Sequence, residues 1–269
     1  MGYRHVLYAV DGKVATLTLN RPEKLNALSV ALMDDFGAAL QEAGRDPAVS
    51  VVRVKGAGRA FSAGYDISGT DAEARAARGT IYEDRERLQG NLERWLAIWE
   101  LPKPVVAQVH GYCIAGATQL AAMCDLTFVA EDSLFGMPSL PLGAGYVTPL
   151  WVWLVGIKRA KEMHYLLGRH ITGKEAVQIG FANRAFPPAR LETEVVETCQ
   201  RIAKIHPQLL RLEKLASNRV LEIQGFRAAV LQAAEWDAIA HFTPPVQEMQ
   251  GRIRERGLRG AIESWEKGG

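Results

Sequence analysis

The sequence predicts an α/β protein that ends in a helical region. Strand and helix patterns alternate from about residue 49, and the strand patterns stop near residue 190. With 269 residues, 48% of them hydrophobic and 23% charged, the chain is long enough to bury a substantial core. We therefore predict an α/β core over residues 1–190 and a helical C-terminal region over residues 191–269.

The first elements follow from the spacing of apolar residues. Residues 14–20, VATLTLN, alternate apolar and polar side chains, which predicts a half-buried strand. Residues 27–43 place apolar side chains three and four apart, which predicts a helix that Gly44 ends. Residues 49–56, VSVVRVKG, read as the next strand.

The middle of the chain continues the alternation. An amphipathic helix is predicted over residues 80–99, ended by Pro102 and Pro104. Two buried strands follow at 104–109 and 126–131, and Thr172 with Glu175 forms a predicted capping box before a C-terminal Gly180. The small, charged segment 71–79 fits either a mobile loop or the beginning of the following helix.

The C-terminal region contains three predicted helices. They cover residues 191–205, 207–223 and 226–241, and Pro207 suits the first turn of its helix.

Charge and cysteine content exclude several classes of protein. The net charge of +2 and the lack of a basic stripe argue against nucleic-acid binding. Three cysteines, Cys113, Cys124 and Cys199, show neither a disulfide framework nor metal spacing, so a reducing compartment and no metal site are expected. Without a signal-like start or a membrane-length apolar run, we expect a cytoplasmic protein with no membrane partner.

A dinucleotide-binding fingerprint is considered and rejected at residues 56–61. Gly56 and Gly58 follow a strand, but the sixth position is Phe61, and a second turn interrupts the helix that should receive a pyrophosphate.

Three stretches taken together point to another kind of site. They are RPEKLNALS at 21–29, FSAGYDI at 61–67 and HGYCIAGATQLAAMCD at 110–125, followed by FGMPSLPLG at 135–143. In this order and spacing the sequence resembles the crotonase superfamily, also called the enoyl-CoA hydratase/isomerase family, over nearly the whole chain. The resemblance implies a spiral of repeated ββα units, a helical C-terminal region that builds homotrimers or dimers of trimers, and acyl-CoA thioester substrates.

The resemblance also assigns an oxyanion hole. By motif position, the backbone N–H groups of Tyr65 and Gly116 would grip the thioester oxygen as an enolate forms. Physical chemistry supports Gly116 independently, because the first N–H groups of a helix lack internal partners and lie at the positive end of its dipole. The resemblance implies no metal and no separate cofactor, since CoA is part of the substrate.

The chain departs from the hydratases of the family at both catalytic glutamates. Those positions are Gln119 and Ser139 here, and neither can act as a carboxylate base. Both remain candidates for substrate positioning, although Gln119 could equally bond within its own helix face. The loop at 135–150 instead resembles that of the methylmalonyl-CoA decarboxylase branch, which has no glutamate pair, and places Tyr146 at the position of its tyrosine. A packed aromatic residue is the alternative for Tyr146.

Recognition of CoA is implied by the resemblance alone. The resemblance assigns six positions to CoA binding. Five correspond to residues that contact the adenine, phosphate and pantetheine parts of CoA, and the sixth follows Trp265, which corresponds to a C-terminal aromatic residue that contacts CoA in a neighbouring subunit. They are Lys24, Leu25, Ala63, Asp66, Ile67 and Lys267. Lys24 could equally be a solvated turn residue, and Asp66 could fix the geometry of its loop.

Three functions remain open at the level of sequence. The first is an acyl-CoA lyase, decarboxylase-like, that works through an enolate held by Tyr65 and Gly116. The second is enoyl-CoA hydration, and the third is a non-catalytic acyl-CoA-binding scaffold.

Overall fold

A computed structural model describes residues 2–68, 79–137, 140–143, 148–166 and 169–266. The segment considered above as a loop or a helix start, 71–79, lies outside these ranges except for Gly79. The strands, in chain order, are β1 (Val6–Asp11), β2 (Val14–Leu19), β3 (Val51–Gly56), β4 (Val105–Val109), β5 (Tyr112–Ile114), β6 (Leu126–Ala130), β7 (Leu134–Gly136), β8 (Ile171–Thr172) and β9 (Arg184–Phe186).

The helices are α1 (Val30–Arg45), α2 (Ile81–Glu100), α3 (Gly116–Met123), α4 (Thr148–Val155), α5 (Ile157–Tyr165), α6 (Gly173–Gln178), α7 (Pro188–Ile202), α8 (Pro207–Ile223), α9 (Phe226–His241) and α10 (Pro244–Glu266). The predicted helices over 207–223 and 226–241 agree with α8 and α9. Helix α10 is interrupted at Gly257, whose φ is 70°. Each helix within the described ranges is too short or too polar to cross a membrane.

Two sheets share the strands. The larger has the order β1-β2-β3-β4-β6-β9 and is parallel except for the β1–β2 pair, and the smaller has the order β5-β7-β8. The chain repeats a unit of two strands and a helix. In the unit β4, β5 and α3, for example, β4 belongs to the larger sheet and β5 to the smaller one. In the units before β4, isolated β-bridges stand in the place of the second strand. These bridges pair Leu28 with Tyr65 and Ser62 with Cys113. This is the ββα spiral that the sequence resemblance implies.

Apolar layers cover both faces of the larger sheet. On one face the main core contains fully buried aromatic side chains, among them Phe36, Phe61 and Trp95. On the other face Leu191 and Val195 of α7 pack against Phe128. A parallel sheet needs this cover on both sides, which explains the near-continuous apolar runs of β3 and β4. Helix α3 lies inside the main core, and all eight of its residues are buried.

One predicted helix end is wrong. Helix α1 runs through Gly44 to Arg45, and its N-cap is Ser29, whose side chain accepts the Leu32 N–H. A Cβ added at Gly44 would lie 2.7 Å from Leu101 Cδ1. This glycine therefore allows close packing and does not end the helix.

Candidate active site

The turn at Ser62, Ala63 and Gly64 brings the second motif against the beginning of α3. The Ser62 hydroxyl donates to the Asn26 carbonyl at 2.8 Å and accepts the Gly64 N–H at 3.1 Å. Gly64 has a φ of +90°, and an added Cβ would lie 2.6 Å from the Ile114 carbonyl oxygen. Glycine is therefore required here on both conformational and steric grounds.

Pairing with Leu28 sets the direction of the Tyr65 backbone. The Leu28 N–H donates to the Gly64 carbonyl at 2.8 Å, and the Asp66 N–H donates to the Leu28 carbonyl at 3.1 Å. In an extended segment the backbone groups of successive residues point to opposite sides. The N–H of Tyr65 therefore points away from Leu28.

Gly116 is the first residue of α3. The preceding residue, Ala115, has an unusual positive φ of 49° and supplies no side-chain cap. The helices α2 and α6, in contrast, are capped by Thr80 and Thr172 through complete capping boxes. The α3 terminus thus presents a backbone N–H with no acceptor inside its own helix, at the positive end of the helix dipole.

The Tyr65 side chain covers this terminus. Its ring would lie 2.7 Å from a Cβ added at Gly116, so Gly116 must be glycine for the ring to pack there. The Tyr65 hydroxyl donates to Gln119 Oε1 at 2.7 Å and accepts the indole N–H of Trp95 at 2.9 Å. Three neutral side chains therefore form one connected network along the first turn of α3.

Of the two positions that the sequence resemblance aligns with the hydratase glutamates, Gln119 lies within the described residues. Gln119 is 4% exposed and lies beside Tyr65. Ser139 and Tyr146 lie outside the described residues. Met137, just before that loop, packs against α3, where its Sδ accepts the Thr118 hydroxyl at 3.1 Å. The loop therefore begins next to the network at α3.

Positions assigned to CoA in the first two motifs lie next to each other. The Ala63 N–H donates to the Leu25 carbonyl at 2.9 Å, Lys24 is exposed, and Ile67 is 43% exposed. Lys267 lies outside the described residues. Leu25 has a positive φ of 49°, so the turn that precedes α1 has a specific backbone shape.

The carboxylate of Asp66 is engaged within the protein. It accepts the Arg21 guanidinium at 2.8 Å and the Ser68 hydroxyl at 2.7 Å. Burial favours its neutral form, but the bonds from Ser68 and Arg21 outweigh burial and hold the pKa of Asp66 below its usual range. Arg21 also donates to the Ala27 carbonyl at 2.7 Å, within its own motif. The Arg21–Asp66 ion pair therefore joins the loop of the first motif to the loop of the second.

The hydrogen bonds of two residues at the site could not be predicted from the sequence pattern. Trp95 belongs to the apolar face of α2 by its spacing, yet its N–H holds the Tyr65 hydroxyl. Asn26 is fully buried, and its amide donates to the carbonyls of Ala57 and Ala60 at 2.8 Å each. Their contacts join segments about thirty residues apart, which local spacing does not reveal.

The fold and the uncapped start of α3 define a ββα scaffold with backbone N–H donors at a helix terminus. Comparisons with known proteins give the family. Residues 10–242 match the family model described as Enoyl-CoA hydratase/isomerase. An enoyl-CoA hydratase/isomerase from Xanthobacter autotrophicus Py2 is 37% identical with a TM-score of 0.91, over 98% of this chain and 97% of that one.

An enoyl-CoA hydratase from Mycobacterium smegmatis is 30% identical with a TM-score of 0.89, over 98% of this chain and 94% of that one. The chain therefore belongs to the enoyl-CoA hydratase/isomerase family of the crotonase superfamily.

Proposed function

We propose that this protein binds an acyl-CoA thioester and stabilises its enolate between the backbone N–H groups of Tyr65 and Gly116. The proposal is supported by the Tyr65 N–H, which points away from Leu28, and by the position of Gly116 as the first residue of α3, where no side chain caps the helix. Losing one oxyanion donor typically costs about 2.7–4 kcal/mol of transition-state stabilisation, so two such donors can dominate the rate.

The reaction proposed for this site is decarboxylation of a malonyl-type thioester, or another lyase reaction through the same enolate. In decarboxylation the bond between the α-carbon and the carboxylate breaks, its electron pair moves into the enolate, carbon dioxide leaves, and a proton then adds to the α-carbon. No base is required. Gln119 supports this proposal, because a carboxamide is too weak a base to take a proton from water, and its oxygen accepts the Tyr65 hydroxyl instead.

Tyr146 and Ser139 complete the proposed site. We assign Tyr146 to orientation of the departing carboxylate through its hydroxyl, and Ser139, with Gln119, to positioning of the substrate. The support is the sequence of the loop, which begins beside α3 at Met137.

The proposed CoA site comprises Lys24, Leu25, Ala63, Asp66 and Ile67, with Lys267 from the C-terminal end. The exposed ammonium of Lys24 suits a phosphate, and the Leu25 and Ala63 backbones are held side by side. Asp66 contributes through its backbone and through the Arg21 pair, since its carboxylate is already engaged.

We further propose a homotrimer or a dimer of trimers in the cytoplasm. Helix α8 exposes Leu209, Leu212 and Ile223 by 60%, 61% and 75%, more apolar surface than a helix facing water normally carries. The cysteines Cys113, Cys124 and Cys199 are buried free thiols, in keeping with a reducing compartment. Light scattering after size-exclusion chromatography tests the assembly, and a monomeric mass would contradict it.

Hydration of an enoyl-CoA is the second candidate, favoured by the similarity to the enoyl-CoA hydratase from Mycobacterium smegmatis and to the enoyl-CoA hydratase/isomerase from Xanthobacter autotrophicus Py2. The deciding experiment incubates the protein with malonyl-CoA, methylmalonyl-CoA and crotonyl-CoA and follows the products by mass spectrometry. We expect acetyl-CoA and propionyl-CoA from the first two, and little hydration of crotonyl-CoA.

The variant Tyr146→Phe should lose decarboxylation, whereas Tyr165→Phe, which removes a hydroxyl from a residue that is 65% exposed, should retain it. Rapid hydration of crotonyl-CoA would overturn the decarboxylase proposal. Tight binding of CoA thioesters without any turnover would favour a scaffold.

A further inference from the structure

The hydrogen bonds of the Trp95, Tyr65 and Gln119 network have a fixed direction. An indole N–H can only donate, so the Tyr65 oxygen accepts from Trp95, and the Tyr65 proton goes to Gln119 Oε1 at 2.7 Å. Trp95 is itself immobilised, since it is 1% exposed and packs edge-on against Phe36 with ring centroids 6.2 Å apart. The oxygen end of the Gln119 amide is therefore held in place by the rigid interior of the protein.

The other end of the same amide has unused donors. Gln119 Nε2 carries two N–H groups, and across the described ranges we find no hydrogen bond donated by this nitrogen. Gln119 is nevertheless 96% buried, being only 4% exposed. Gln119 Nε2 is not one of the fully buried side-chain atoms without a partner in the described residues, so this nitrogen keeps some accessible surface. An amide held in this way is suited to a ligand that brings an acceptor to that nitrogen.

The position of Gln119 on α3 indicates which part of a ligand it would meet. Gln119 is three residues after Gly116, and residues three apart lie on the same face of a helix. The axial separation is about 4.5 Å at 1.5 Å per residue, and helical side chains lean back toward the N-terminus. If the thioester oxygen lies at the Gly116 N–H, the Gln119 amide therefore lies near the acyl chain two or three bonds from the thioester carbon.

We propose that Tyr65 is a positioning residue that fixes the Gln119 amide through its hydroxyl, so that Gln119 Nε2 donates a hydrogen bond to an oxygen on the third carbon of the acyl group. This inference rests on the proposed binding of the thioester at Tyr65 and Gly116. It defines the substrate class as acyl-CoA thioesters with a carbonyl or carboxylate oxygen at that carbon. A saturated or simple unsaturated chain would leave the Gln119 donors unpaired.

The test compares two ligands of equal chain length, acetoacetyl-CoA, which has a carbonyl oxygen on the third carbon, and butyryl-CoA, which has none. Isothermal titration calorimetry gives their dissociation constants for the wild type and for Gln119→Met, which keeps the length of the side chain. One hydrogen bond corresponds to about tenfold in affinity. We expect Gln119→Met to weaken acetoacetyl-CoA about tenfold and to leave butyryl-CoA unchanged, with Gln208→Met, at an exposed position on α8, as the matched control.

Two further variants test the positioning role. Tyr65→Phe keeps the ring against Gly116 but removes the hydroxyl, and Trp95→Phe removes the indole donor. Both should lower the preference for acetoacetyl-CoA over butyryl-CoA by about threefold to tenfold without weakening butyryl-CoA.

An unchanged preference in Gln119→Met would overturn the proposed recognition, and an unchanged preference in Tyr65→Phe would overturn the role of Tyr65. In both cases the proposed enolate chemistry would stand. If the wild type bound neither thioester, the proposed function would fail as well, so the two failures are distinguishable.

Discussion

The two ends of helix α3 bury different kinds of polar groups. At the N-terminal end the Gly116 N–H, Tyr65 and Gln119 are neutral, and within the described ranges Gln119 Nε2 donates no hydrogen bond. Just beyond the C-terminal end the Asp125 carboxylate accepts the Lys214 ammonium at 2.8 Å and the Val105 N–H at 2.7 Å. The groups at the charged end pair with each other, whereas the side chains named at the other end carry no charge.

This difference separates structural from chemical roles. Lys214 also donates to the carbonyls of Ile98 and Lys103, at 2.9 and 3.2 Å, so it joins α8 to the core. Burial raises the pKa of Asp125 above its usual range although Lys214 opposes the shift, so burial disfavours the charged form of this carboxyl group. An enolate formed at the other end of α3 would therefore depend on backbone donors for its stabilisation.

The largest expected effect is on stability and comes from removing the Lys214–Asp125 ion pair beyond the C-terminal end of α3. Lys214→Met leaves the Asp125 carboxylate without its cation and should lower the free energy of unfolding by about 3 kcal/mol. Chemical denaturation at a fixed protein concentration measures this change, because assembly would otherwise affect the midpoint. The exposed control Lys204→Met should stay within about 0.5 kcal/mol of the wild type, and equal losses in both variants would contradict the account.

A substitution at the N-terminal end of α3 should instead lower the rate of turnover. Gly116→Ala places a Cβ 2.7 Å from the Tyr65 ring, so the ring or the helix must move. We expect kcat to fall about 100-fold, as for loss of one oxyanion donor, in a steady-state assay with the substrate identified by mass spectrometry. At Gly90 an added Cβ meets nothing within 4 Å, so Gly90→Ala should keep full activity. Full turnover by Gly116→Ala would remove the oxyanion role.

The N-terminus of α6 sharpens the contrast between a capped and an uncapped helix. Thr172 accepts the Glu175 N–H, and Glu175 bonds back to the Thr172 N–H at 2.7 Å. Thr172→Ala should cost about 1 kcal/mol of unfolding free energy and leave turnover unchanged, measured by thermal unfolding beside the activity assay. A selective loss of activity would indicate that this helix end also serves the reaction.

The smallest effect is expected at the partly exposed cluster on α7. Burial favours neutral Glu192, but bonds from Gln108 and Lys55 and the charge of Arg53 lower the pKa of Glu192 from 4.5 to about 2. A lowered folded-state pKa stabilises the protein above about pH 4.5, and this contribution is lost as the pH falls toward 2.

Because Glu192 is 52% exposed, solvent screening keeps the contribution below about 1 kcal/mol. Glu192→Gln should therefore be slightly less stable than the wild type at pH 7 and equal to it near pH 2. A difference that grows toward acid pH would contradict the assignment.

Sequence patterns predicted the regular elements well where one face is buried. Helices α8 and α9, and strand β2 to within one residue, follow from apolar spacing and from Pro207. The run TPLWVWLV of α4 gave no prediction, since it is apolar on all sides and shows no period. Strands β5, β7 and β8 have two or three residues, too few for alternation to be seen.

The candidate site was predictable in its backbone and not in its side-chain network. Gly64 and Gly116 stand in two motifs that the sequence shows, and the structure explains both glycines, Gly64 by its positive φ and Gly116 by the Tyr65 ring packed against it. The hydrogen bonds of Tyr65 depend on where α2 packs over α3, which no local pattern encodes. The domain boundary near residue 190 and the CoA-binding residues stay predictions.

The most direct test of the neutral oxyanion site is a crystal structure of the protein with acetoacetyl-CoA bound. The account predicts the thioester oxygen about 2.7–3.1 Å from the backbone nitrogens of both Tyr65 and Gly116, and the oxygen on the third carbon at Gln119 Nε2. A thioester carbonyl bound away from the beginning of α3, with Gln119 facing no acyl oxygen, would contradict it.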